Sequence, residues 1–106
     1  MKKILIFIII FLPINSFSSE KIINSLKNGK KVVFIRHAIA PGNGDPDNFD
    51  ILDCSTQRNL NEKGRDQSKK IGEFFKSNEI LFDQVLSSEW CRCKDTGIIA
   101  FGDIET

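Results

Sequence analysis

The apolar run at residues 32–35 constrains the fold of this chain most, because it leads directly into Arg36 and His37. Its residues are β-branched or aromatic and do not alternate with polar ones, a pattern typical of a strand that is covered on both faces. A loop without hydrophobic periodicity follows at residues 38–60, and a loop of that length is often functional. We therefore expect a buried strand that delivers a cation and an imidazole to the edge of a sheet.

The residues around this strand and loop predict three helices and a second strand. A short helix precedes the first strand, with Ser19 as its N-cap and Gly29 just after its C-terminal end. A second helix follows the loop and is capped by Asn61. Small and apolar residues line one face of that helix: Gly64, Ser68, Ile71 and Phe75. A second strand is predicted at residues 82–88, and a third helix at residues 89–102.

The order of these segments predicts an α/β fold. A strand, a helix and a second strand of these lengths favour a parallel pair joined by a right-handed crossover. We therefore expect a three-layer αβα architecture with a mainly parallel sheet, cut short after the second strand–helix unit. Both strands then end at the same edge, which brings His37 close to Ser87 and Ser88. Ligands bind at that edge in open α/β sheets.

The first 18 residues have the order of charged, apolar and small residues that is typical of a secretory signal. Lys2 and Lys3 precede an apolar run that is shorter than the ~20 residues needed to span a bilayer. Cleavage after Ser18 is expected to leave residues 19–106 as the folded product, exported to the periplasm or secreted, without a stable membrane anchor. The alternatives are an uncleaved amphipathic anchor or a buried helix.

The charge and the cysteine content limit the kinds of partner, crosslink and cofactor that we expect. The formal net charge is +1 and no block of like charge stands out, which argues against a nucleic-acid partner. Cys91 and Cys93 lie two apart and point away from each other on a helix, so Cys54 is expected to pair with one of them if a disulfide forms. With a single histidine and no CxxC spacing, we expect no metal site and no cofactor.

His37 and Arg92 are the strongest candidates for a catalytic residue and an anion-binding residue. A neutral imidazole is able to attack phosphorus or to act as a general base. Arg92 lies in the first turn of the third predicted helix, where the helix dipole disfavours a cation by roughly 0.3–1 kcal/mol. An anion held between the helix N-terminus, Arg36 and Arg92 would reverse that penalty. The alternatives are a structural histidine and an arginine that points into water or pairs with Glu89 or Asp95.

Three segments in order resemble the histidine phosphatase (phosphoglycerate mutase-like) superfamily: "FIRHA", "RNLNEKGRDQSKKIG" and "VLSSEWCRCKDTG". The resemblance implies that His37 is the nucleophile that becomes phosphorylated, and that Arg36 and Arg92 hold the phosphate oxygens. It also implies a weaker contact from Arg58 in the long loop. Phosphoryl transfer asks a protein mainly to position groups and neutralise charge, which two arginines are suited to do.

The resemblance implies an exported phosphatase that hydrolyses a phosphomonoester through a phosphohistidine intermediate. The substrate is expected to be a phosphorylated small molecule or an envelope-associated compound. Superfamily members use a second histidine and usually an acidic proton donor, whereas this chain has one histidine. We therefore expect residues 19–106 to be the N-terminal half of the domain. The alternative is a truncated or degenerate member that binds anions without turnover.

Overall fold

The structure, a computed structural model, describes residues 17–106. Three helices are present in this part of the chain: α1 at Phe17–Lys27, α2 at Glu62–Ser77 and α3 at Cys91–Phe101. A single 3₁₀ turn at Cys54–Thr56 lies in the loop before α2. None of the described helices is long and apolar enough to cross a membrane. The predicted signal peptide at residues 1–18 falls almost entirely outside the described residues.

The predicted three-layer αβα fold with a mainly parallel sheet is wrong, because the described part of the chain is helical and contains no strand. A sheet needs a ladder of backbone hydrogen bonds, and only isolated bridges form here. In the second predicted strand, Ser87 donates to the carbonyl of Glu105 at 2.8 Å, and Glu105 donates to that of Val85 at 2.9 Å. These two bonds make one parallel bridge and go no further.

The first predicted strand is not paired with any other described segment. Residues 31–37 make no backbone–backbone hydrogen bond to any other described segment. Val32 is 79% exposed and Phe34 is 91% exposed, the reverse of the burial that their apolar character predicts. The prediction of a buried strand from this hydrophobic pattern is therefore wrong.

The start of α1 differs from the prediction, whereas its end agrees. The helix begins at Phe17, so Ser19 lies inside its first turn and is not the N-cap. Beyond Lys27, Gly29 has a φ of 73°, in the left-handed region that a glycine adopts without strain. Lys27 also forms an ion pair with Glu79 at 3.6 Å, but both side chains are exposed and the pair contributes little.

Helices α2 and α3 pack against each other and form the body that positions the site. The predicted cap of α2 is confirmed, since the Asn61 side chain accepts a hydrogen bond from the Gly64 amide at 2.9 Å. The predicted stripe is also confirmed in large part, with Gly64, Ser68 and Phe75 buried. Gly72 lies so close to the Ala100 carbonyl of α3 that a Cβ at this position would overlap it. The absence of a side chain at this position therefore permits the close helix contact.

Three aromatic rings close one end of this helix pair. Phe75 of α2 packs edge-to-face on Phe82 with ring centroids 5.0 Å apart, and lies 5.7 Å from Phe101 of α3. Phe82 and Phe101 complete the triangle at 5.5 Å. Aromatic pairs in this range add about 0.5–1.5 kcal/mol each beyond their burial. The C-terminal end of α3 is therefore fixed by apolar packing.

Candidate functional site

The N-terminal end of α3 is fixed by a disulfide and polar contacts. Cys54 of the 3₁₀ turn is bonded to Cys91, the first residue of α3, and Cys93 is a free thiol. The prediction that Cys54 pairs with one of the two helix cysteines, and that these do not pair with each other, is confirmed. The bond holds the long loop against the turn of α3 that carries Arg92.

Gln57 connects the same loop to α3 through its buried side-chain amide. Its Oε1 accepts a hydrogen bond from the Cys91 amide at 3.0 Å, which satisfies one of the backbone donors at the start of the helix. Its Nε2 donates to the carbonyls of Asp50 at 2.8 Å and Ile51 at 3.1 Å. The loop is therefore irregular in shape yet closely bonded to the helix.

His37 is half-buried and has one ring nitrogen engaged. Its Nδ1 lies 2.7 Å from the carbonyl oxygen of Ala38. Because a carbonyl only accepts, Nδ1 must carry the proton in this contact, and in the neutral ring the Nε2 lone pair is then free. Nε2 is thus the atom of His37 that is available to attack an electrophile.

Thr96 of α3 links the His37 segment to Arg92. The Thr96 hydroxyl oxygen accepts a hydrogen bond from the Ala38 amide at 3.0 Å. The same hydroxyl donates to the Arg92 carbonyl one turn earlier, at 2.7 Å. Both contacts are buried, so the position of residues 37–38 is set by α3. This link was not predicted from the sequence.

The structure brings Arg36 and His37 together with Ser87 and Ser88 in the wall of one cleft of about 250 Å³. Although no sheet forms among residues 17–106, the C-terminal ends of the two predicted strands still meet there. Phe75 of α2 and Thr96 of α3 are also in the lining. Arg36 is exposed. The cleft therefore presents a cation and a nucleophilic nitrogen next to apolar walls.

Arg92 lies outside the lining of this cleft and is 9% exposed. Its Nη1 donates to the Asp45 carboxylate, with N–O distances of 2.9 and 3.1 Å, and its guanidinium carbon lies 4.5 Å from the centre of the Trp90 ring. Asp45 is thus its ion-pair partner, and neither Glu89 nor Asp95 takes that place. The Arg92 Nε–H is buried and donates to no acceptor among the described residues.

Arg58 uses its side chain to brace the long loop. Its Nε donates to the Gly44 carbonyl at 2.9 Å, and its Nη1 donates to the Ala40 carbonyl. Its backbone amide donates to Asp45 at 2.9 Å. These groups of Arg58 are therefore occupied by the protein itself. Arg58 and Arg92 meet through Asp45, while Arg36 lies with His37 in the cleft.

The surroundings of Asp45 stabilise its charged form and lower its pKa. The hydrogen bond from the Arg58 amide is the main cause that lowers its pKa below the ordinary value of 3.8. Burial opposes this shift, and the hydrogen bond and charge of Arg92 reinforce it. The sequence places Asp45 in a Gly-Asp-Pro turn but gives no signal that it faces Arg92, which follows 47 residues later.

One of the three comparisons with known proteins found a relative, and that relative is named a phosphatase. No family model matches the chain, and no solved structure matches it significantly. The chain is 26% identical over 91 residues to "Serine/threonine-protein phosphatase Pgam5, mitochondrial" of Drosophila willistoni. This match covers 86% of the chain but only 28% of that relative, so the chain spans less than a third of its length.

This similarity indicates a distant histidine phosphatase-like relationship, since Pgam5 is a phosphoglycerate mutase-family protein. The similarity also overturns one prediction. The relative is named as a mitochondrial protein, so the predicted export to the periplasm or outside the cell is wrong.

Proposed function

We propose that this chain carries the phosphate-binding and nucleophilic part of a phosphatase that hydrolyses phosphomonoesters through a phosphohistidine at His37. Arg36 and Arg92 are the cations that hold the phosphoryl oxygens in this proposal. Arg58 supports the site indirectly, by bracing the loop that carries Asp45.

The observation that carries the proposal is the unpartnered Nε–H of Arg92. A buried donor without an acceptor costs about 1–3 kcal/mol, and more on a charged group, so an arginine held in this state is expected to receive an anion. Arg92 also lies in the first turn of α3, where the helix dipole favours a negative charge. A phosphoryl group would accept a hydrogen bond from the Arg92 side chain and interact favourably with that dipole.

The proposed reaction starts at the free Nε2 of His37. Its lone pair attacks phosphorus, the bond between phosphorus and the ester oxygen breaks, and the departing alkoxide takes up a proton from a general acid. Water then attacks phosphorus, the bond between phosphorus and Nε2 breaks, and the deprotonated general acid takes up a proton from the water as inorganic phosphate is released. Arg36 and Arg92 neutralise the charge that spreads over the phosphoryl oxygens during both steps.

The substrate class is a phosphomonoester of a small molecule or of a protein side chain. The cleft beside His37 has apolar walls formed by Phe75 and neighbouring residues, which suit the non-phosphorylated part of such an ester. The similarity to a protein that is named a serine/threonine-protein phosphatase supports a phosphorylated serine or threonine as one member of this class.

The proposal is tested by trapping the intermediate. We incubate the chain with a ³²P-labelled phosphomonoester, quench the reaction and follow the label at acidic and alkaline pH. A phosphohistidine is labile in acid and stable in base, whereas a serine ester is stable in acid. We expect an acid-labile label that maps to His37 and is absent from His37→Gln.

Ser87→Ala and Ser88→Ala are the matched controls, since both hydroxyls lie in the wall of the same cleft. Each is expected to keep the label. An acid-stable label, or one that maps to either serine, contradicts the histidine mechanism.

The second candidate is an anion-binding protein without turnover. It is favoured by the contacts of Arg92 with Asp45 and of Arg58 with loop carbonyls, which leave Arg36 as the exposed one of the three candidate arginines. Phosphate binding that depends on Arg92, together with no labelled intermediate, identifies this alternative.

A further inference from the structure

We infer that Asp45 is a positioning residue that holds the Arg92 guanidinium in the orientation in which it receives an anion. The inference rests on the proposed function and adds a residue to it. Asp45 contacts Arg92 only through Nη1, at 2.9 and 3.1 Å, and both side chains are about nine-tenths buried. The loop therefore reaches across to α3 with one carboxylate and fixes one terminal nitrogen of the arginine.

The geometry of the guanidinium shows what this contact leaves open. Nε–H and one N–H of Nη2 point in the same direction and form the fork that binds two oxygens of a phosphate or carboxylate. Asp45 occupies Nη1, on the other side of the group, and the Nε–H remains without an acceptor among residues 17–106. The Trp90 ring, 4.5 Å from the guanidinium carbon, further limits how the group can turn. By binding Nη1, Asp45 leaves the edge of the guanidinium formed by Nε and Nη2 open to an anion.

Two opposite effects of Asp45 on anion binding must be weighed. Its negative charge repels an anion near Arg92 and so opposes binding. Without it, however, Arg92 would be a buried charge without a partner at the positive end of a helix, and the side chain would turn toward water. We expect the second effect to dominate, because a misplaced guanidinium loses both hydrogen bonds of its fork at once. The sign of the change in affinity therefore decides the role of Asp45.

The loop supports Asp45 in this role. The Arg58 amide donates to the same Oδ1 that Arg92 contacts, at 2.9 Å, and the Arg58 side chain fixes the loop around Gly44. The low pKa of Asp45 keeps the carboxylate charged at neutral pH. Arg58 and Arg92 are the charged groups that face it, one from the loop and one from α3.

The test measures binding of inorganic phosphate to the 106-residue chain by titration calorimetry. Asp45→Asn keeps the shape of the side chain and removes its charge, and we expect it to bind phosphate about tenfold or more weakly, the loss of one charged hydrogen bond. Asp45→Glu keeps the charge but moves the carboxylate by one methylene group, so it should bind phosphate more tightly than Asp45→Asn and more weakly than the wild type. Asp53→Asn is the matched control, because Asp53 is a loop carboxylate bonded to Ser55 rather than to an arginine. It should bind like the wild type.

Each outcome has a separate meaning. Unchanged or tighter binding by Asp45→Asn overturns the positioning role and makes Asp45 a competing counter-charge. If Asp45→Asn lowers the thermal midpoint so far that it is unfolded, the comparison between Asp45→Glu and the wild type decides, and equal affinities overturn the inference. Wild-type binding that Arg92→Ala leaves unchanged refutes the proposed anion site itself, whereas binding lost in Arg92→Ala and kept in Asp45→Asn refutes only the inference.

Discussion

Residues 31–36 and residues 38–60 are neighbours along the chain, but they are held by very different interactions. The first segment is largely apolar, with Phe34 91% exposed and no backbone hydrogen bond to another described segment. The second is polar and irregular, yet it is tied by a disulfide, by the buried Gln57 amide and by the Asp45–Arg92 ion pair. The segment with the stronger hydrophobic pattern is thus the one with fewer interactions.

The difference shows what stabilises a segment in this chain. An apolar side chain contributes to folding only through the area that it removes from water, so an exposed phenylalanine contributes almost nothing. A polar side chain that satisfies several buried backbone groups at once prevents a desolvation penalty at each of them. The three predictions that follow test this comparison in stability, from the largest expected effect to the smallest.

The largest effect is expected from Cys54→Ser, which frees the loop from α3. The disulfide joins residues that are 37 apart in sequence. Closing a loop of that length stabilises the folded state by about 4 kcal/mol in the chain-entropy model. Chemical denaturation of the wild type and the variant, each monitored by circular dichroism, measures the difference.

Cys93→Ser is the control for this prediction, because Cys93 is on the same helix and forms no disulfide. It should change the free energy of unfolding by less than about 1 kcal/mol. Equal effects of the two variants would mean that the crosslink does not hold the loop in solution.

Features that depend on neighbours in sequence could be predicted from the sequence. Asn61 was predicted as the cap of α2 because its side chain reaches an amide three residues later. The buried stripe of Gly64, Ser68 and Phe75 followed from helical spacing. A strand, in contrast, needs a partner at a distant position in the chain, and the apolar pattern of residues 32–35 carries no information on whether that partner is present.

The residues of the candidate site also fall into those that the sequence could identify and those that it could not. His37 was identified by its imidazole and by its place at the end of a predicted strand. Arg92 was identified by its charge and by its place at the start of a predicted helix. The roles of Asp45 and Gln57 were not predicted, since they depend on contacts with residues 47 and 34 positions later. Likewise, the choice of Cys91 over Cys93 as the partner of Cys54 required the three-dimensional position of the loop.

An intermediate effect is expected from Gln57→Leu, which keeps the size of the side chain and removes its polar atoms. The buried Cys91 amide and the part-buried Ile51 carbonyl then lose the Gln57 side chain as their partner, whereas the Asp50 carbonyl keeps the Asp53 amide at 3.1 Å. We expect the free energy of unfolding to fall by about 3 kcal/mol, since each such group carries a penalty of up to a few kcal/mol and water satisfies part of the set.

The same substitution at Gln67 is the control. Gln67 of α2 accepts a hydrogen bond from the Ile39 amide at 2.9 Å, but this contact is exposed and water replaces it. Gln67→Leu should therefore change stability by less than about 1 kcal/mol. A larger loss at Gln67 than at Gln57 would contradict the view that the buried amide network holds the loop.

The smallest effect is expected from Phe34→Ser in the exposed segment. Because the ring is 91% exposed, its removal returns almost no apolar area to water, and the free energy of unfolding should change by no more than about 0.5 kcal/mol. Phe75→Ser is the matched comparison, since that ring is buried between Phe82 and Phe101 and its loss should destabilise the chain by about 3–5 kcal/mol. Denaturation curves of the two variants measure both values. A loss above 1 kcal/mol for Phe34→Ser would show that residues 32–35 are buried in solution, and the contrast between the two segments would then fail.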